Sequence, residues 1–74
     1  MTTEQWIEAF AAAIGRPAPD EDEVTAILEL AATAAHSSAR TAAPVAAWLA
    51  GASGKSLPEV NRIAARVSGA ELGE

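Results

Sequence analysis

The chain reads as an all-α protein, a compact bundle of four short helices, and three observations carry that reading. Half of the residues are apolar and alanine supplies the larger share of them; alanine has the highest helix propensity and is depleted in strands. Apolar residues recur at three- and four-residue spacing in four separate stretches. Glycine and proline gather at the ends of those stretches, where they stop one helix or start the next.

The first helix is expected over about residues 3–14. Thr2 and Gln5 make a capping box, and Trp6, Ile7, Phe10 and Ile14 recur at helical spacing until Gly15 interrupts them. "GRPAP" is a stiff connection, because two prolines and a glycine cannot continue a helix. Asp20 then caps a second helix, about 21–38, with Glu23 as its box partner. The remaining acids of "DEDE" suit the positive end of the helix dipole and lack the alternation and turn glycine of a calcium loop. Val24, Ile27, Leu28, Ala31 and Ala35 form its apolar stripe, and the change from bulky to small side chains allows another backbone to approach its C-terminal half.

Pro44 disfavours helix at Ala43 yet fits a first turn, so a third helix is expected over about 42–52, with Thr41 as its cap. It presents Val45, Trp48, Leu49 and Ala52; Trp48 could anchor a partner, but in a chain with only two tryptophans and one phenylalanine the core is the favoured place for it. Gly51 and Gly54 open a turn; Ser56 and Glu59 form a third capping box. The fourth helix, about 57–68, would bury Val60, Ile63, Ala64 and Val67, with Gly69 as its stop. Residues 70–74 are expected to fray, within a single domain spanning 1–74.

A chain of 74 residues buries roughly 60% of the surface its unfolded form exposes. It has no cysteine to reinforce so small a core. Dimerisation through a residual apolar stripe would supply what the core lacks, so a homodimer is one expected partner state. No apolar run approaches the roughly 18 residues of a membrane span. "MTTEQW" lacks the basic region and apolar core of a secretory signal, which makes cytoplasm the expected compartment.

Charge is divided unevenly. Residues 1–36 carry seven acids against Arg16, a balance of 1 − 7 = −6; residues 37–74 carry Arg40, Lys55, Arg62 and Arg66 against three acids, 4 − 3 = +1. The acidic front half argues against nucleic acid and anionic membranes as partners.

"GASGKS" invites comparison with a phosphate loop, but Leu49 stands where the first glycine belongs. It is read as the end of one helix and the start of the next. A single histidine, no cysteine and no inward-facing carboxylate pair leave neither a metal site nor an acid–base pair, so no enzyme and no cofactor are expected. Two sites remain. His36 and Arg40 share a face if the second helix persists that far, and with Thr41 and the N–H groups opening the third helix they could hold a phosphate or carboxylate. Arg62 and Arg66, four apart on the fourth helix, could dock an acidic protein.

Trp6, the acids from Asp20 to Glu23, Ala35-His36, the run from Arg40 to Pro44 and the stretch from Val45 to Gly54 stand in the order seen in a small actinobacterial helical family of uncharacterised function. The chain resembles that family over nearly its whole length, with Thr41 where members often have proline. The family is similar to domains encoded beside, or fused to, the guanylyltransferase that attaches GMP to the molybdenum cofactor. The resemblance implies an accessory, non-catalytic protein-interaction role in molybdenum cofactor (molybdopterin guanine dinucleotide) biosynthesis. It also implies that enzyme as protein partner, with "AHSSARTAAP" as the contact surface. The alternatives are a small-ligand binder gripping a phosphate or carboxylate at the start of the third helix, and a homodimeric scaffold.

Overall fold

A computed structural model describes residues 1–71 and shows an all-α bundle of four short helices. They are α1 (Thr3–Ile14), α2 (Glu21–Ser37), α3 (Ala42–Ser53) and α4 (Leu57–Glu71). No helix is long and apolar enough to cross a membrane among the described residues.

The starts of α1 and α2 follow the sequence closely. Thr2 Oγ1 accepts from the Gln5 N–H at 3.1 Å while the Gln5 side chain accepts from the Thr2 N–H at 2.8 Å. Asp20 and Glu23 repeat the exchange at 2.8 and 2.9 Å. Each box satisfies two donors that the helix itself cannot. Gly15 closes α1 and Gly54 closes α3 in left-handed conformations, φ 80° and 75°, which a β-carbon would strain.

Later boundaries shift. α2 ends at Ser37, one residue before the expected end, and α3 runs one residue further, to Ser53. α4 continues through Gly69, which keeps a helical, negative φ, and reaches Glu71 instead of stopping near residue 68. Glycine in a helix costs only about 1 kcal/mol and stops it only where the chain must turn. The expected fraying of 70–74 falls largely on residues 72–74, which lie outside the described residues. Ser56 Oγ accepts from the Glu59 N–H at 3.3 Å, but the return bond of the box is absent, because the Glu59 carboxylate sits 3.8 Å from the Lys55 ammonium.

Packing is uneven. Among the described residues α2 is the central helix, in contact with both α3 and α4, whereas α3 and α4 make little contact with each other and α1 makes little with any. The bundle measures 42 × 23 × 18 Å. Buried apolar side chains are Ala11, Leu30 and Val60. Leu30, the most buried of them, falls outside the apolar stripe read from the sequence, because polar Thr33 and Ser37 share its face of α2 and hide the periodicity. Leu28, placed inside by that stripe, is exposed, as is Val67 on α4.

Polar bonds tie α2 to α4. Asn61 on α4 donates through Nδ2 to the Ala26 carbonyl of α2 at 3.1 Å and to Leu57 O at 3.2 Å. Near the far end of α2 the Ser37 and Ser68 hydroxyls meet at 2.6 Å. That contact is the close approach which the small residues of α2 allow.

Candidate functional site

The polar cluster singled out by the sequence straddles the end of α2, with His36 on its last turn and Arg40 and Thr41 on the connection to α3. His36, Arg40 and Thr41 are all exposed. Because α2 ends at Ser37, Arg40 stands beyond the helix and the shared helical face with His36 is not formed. Thr41 occupies the N-cap position in a helical conformation, φ −68°, ψ −17°, and its side chain makes no capping bond. The turn is closed by backbone instead: the Ala42 N–H donates to Ala39 O at 2.8 Å and the Ala43 N–H to Arg40 O at 3.2 Å. Pro44 has no N–H. The first donors of α3 are therefore already engaged or missing, and an anion would find none of these three available.

Two apolar surfaces stand out more strongly. One is a groove of about 700 Å³ with α2 as its floor and α3 and α4 as its walls. Leu30 and Ala34 form the floor; Val45 and Leu49 of α3 face Ile63 and Val67 of α4. The groove exists because α3 and α4 each pack on α2 while the side chains of α2 between them, Thr33, Ala34 and Ser37, are too small to fill the gap. Lys55, at the α3–α4 connection, is its one charged lining residue among those described.

The second surface is Trp48, 71% exposed on α3. The sequence assigned it to the core; the structure turns it outward. Helical geometry gives the reason, since Ala46 and Ala50, half-buried, face inward and Trp48 lies on the opposite side of a 3.6-residue turn. Thr41, Val45 and Trp48, spaced four and three apart, line one stripe of α3. The sequence offers Trp48 both as a partner anchor and as core, and favours core because an apolar residue at helical spacing carries no mark of which way its helix is turned. The mismatch of α3, apolar nearly all round yet attached along one side only, is the signal that would have found it.

Arg62 and Arg66 are exposed on α4, next to Ile63 and Val67 of the groove wall. The described residues contain no cluster of three or more potential metal ligands.

The described part of this small all-α domain thus leaves an apolar groove and a tryptophan uncovered. The chain belongs to the family described as Domain of unknown function (DUF6457), whose profile matches residues 1–72. No curated protein and no solved structure matches it.

Proposed function

We propose that the chain is a non-catalytic interaction domain of the cytoplasm, and that it binds a protein through the outer face of α3. The observation that carries this reading is Trp48, 71% exposed in a chain with few large side chains to spare. An exposed indole leaves a large apolar area in water, and tryptophan anchors interfaces more often than its abundance explains. Thr41 lies on the same stripe, with Arg40 exposed on the turn that leads into it and His36 exposed on the last turn of α2. On this reading Trp48 is the apolar centre of the patch, and Thr41 with Arg40 supplies a polar, cationic edge toward the start of α3.

The resemblance drawn from the sequence supplies the partner: the guanylyltransferase that attaches GMP to the molybdenum cofactor. The domain would assist that enzyme or help pass its product to an acceptor. Calorimetric titration of the guanylyltransferase with the full chain tests the partner. Saturable binding is expected, and its absence removes this partner. Trp48→Ala tests the surface; a hot-spot tryptophan costs 2 kcal/mol or more, so binding should weaken about thirtyfold. His36→Ala with Arg40→Ala should weaken it less. Binding unchanged by Trp48→Ala would move the interface elsewhere.

A further inference from the structure

The groove and α1 are complementary halves of one contact that a single chain does not make. α1 carries Trp6, Phe10 and Ile14 at four-residue spacing, 55%, 51% and 56% exposed. The Trp6 and Phe10 rings stack with centroids 5.1 Å apart and planes 17° from parallel, so the two aromatics form one ridge, with Ile14 one turn further along the same side. Glu4 and Glu8 stand on the opposite side of the helix, as the 3.6-residue period requires. No residue of α1 lines the groove of its own chain. The link from Gly15 to Pro19 contains two prolines, which hold α1 away from α2 with little freedom to fold back.

We propose that α1 of a second copy of this chain fills the groove, and that its partner returns the contact, giving a reciprocal dimer with two identical helix-in-groove sites. This inference uses the groove beside the Trp48 face, which shares Val45 with it but not Trp48, and goes beyond the partner reading above.

Three arguments favour a second copy as occupant. Length fits: α1 has 12 residues and so does α3, which forms one wall, and each spans roughly 18 Å. Charge fits: the apolar ridge carries no ionised group, and among the described residues the groove carries only Lys55, at one end and 3.8 Å from the Glu59 carboxylate, so docking strands no charge in an apolar setting. Area fits as well. An aromatic side chain presents 150–250 Å², so two half-exposed rings leave roughly 100 Å² each to bury. With Ile14 and the smaller area that the groove wall offers, one seated helix removes roughly 500 Å² from water, and a reciprocal pair roughly 1,000 Å², the threshold of a specific interface. Exchange of an identical element between protomers needs no partner surface that the chain does not already own.

Sedimentation equilibrium on the full chain should show a species of twice the monomer mass that dissociates on dilution. Two variants divide the contact. Trp6→Ala with Phe10→Ala removes the ridge and keeps the groove; Leu49→Glu with Val67→Glu blocks the groove and keeps the ridge. Each alone should sediment as a monomer with its helical circular dichroism retained, and the two mixed should re-form a dimer through the one intact site, about tenfold or more weaker than the original. Because the chain has no cysteine, Phe10→Cys with Leu49→Cys offers a check that does not depend on either variant folding well: oxidation should link two chains between position 10 and position 49. A monomer at every concentration, a dimer insensitive to the ridge variant, or a 10–49 link formed only within one chain each overturns the proposal. None of these outcomes bears on Trp48, so the partner reading stands or falls separately.

Discussion

α1 and α3 have the same length and opposite histories. α1 has both bonds of a capping box at its start and a left-handed glycine at its end, yet it makes little contact with the rest of the bundle. α3 begins without a side-chain cap, behind a turn held by backbone bonds alone, yet it packs along α2. Local signals decide whether a segment is helical; they say nothing about what it lies against. The difference also separates two kinds of residue. Those on the α2–α4 seam hold the fold, and those on α1 are available for something else.

The sharpest way to break that distinction is at Leu30, 5% exposed at the floor of the groove and the meeting point of three helices. Leu30→Ala should cost about 2–4 kcal/mol by lost transfer energy and an unfilled cavity. In a domain of this size each kcal/mol lowers the melting temperature by about 4–8 °C. Thermal unfolding followed by circular dichroism should therefore show the transition displaced by roughly 8–32 °C or lost. A shift under about 4 °C would mean that the seam does not hold the bundle.

The glycines of "GASGKS" provide a smaller effect with two signs. Gly54 has φ 75°, so Gly54→Ala strains the turn and should destabilise by about 1 kcal/mol. Gly51 is helical, and an added β-carbon there meets nothing within 4 Å, so Gly51→Ala should stabilise by about 0.5–1 kcal/mol. Denaturant midpoints moving in opposite directions check the pair. The motif is then a helix end in thermodynamic as well as geometric terms.

Much of the fold was legible in the sequence. Both complete capping boxes, the left-handed stop at Gly15 and the break before Pro44 follow from chemistry that acts over three or four residues, and the four helices fall within a few residues of their expected ends. What could not be read was the rotation of each helix about its axis. Ser37, Ser68 and Asn61 sit on inner faces because they bond across the α2–α4 seam or to its carbonyls, which gives their helices polar interruptions that look like solvent faces. That is why Leu30 was missed and Leu28 taken in its place. The same ambiguity hid Trp48. The His36–Arg40 pairing depended on one further turn of α2, and that turn was not formed; the sequence offers no stop signal at Ser37 as firm as the glycines elsewhere.

The finest test of the comparison uses one chemistry in two places. Asp20 and Thr2 head capping boxes with the same two bonds, one box built from carboxylates and one from neutral side chains, and losing either cap costs its own helix about 1 kcal/mol. Asp20 heads α2, against which α3 and α4 both pack, so Asp20→Ala should lower the stability of the whole bundle by about that amount. Thr2 heads α1. If α1 opens independently of the seam, Thr2→Ala at low concentration should leave the main transition within about 0.3 kcal/mol and appear only as faster amide exchange in residues 3–6. Once a second copy holds α1 in its groove, fraying and association become linked, because a helix must form before its ridge can dock. The same substitution should then weaken dimerisation, and the gap between Asp20→Ala and Thr2→Ala in unfolding free energy should narrow as concentration rises. Equal effects at low concentration would show α1 to be part of the cooperative unit, with its local and tertiary signals no longer separable.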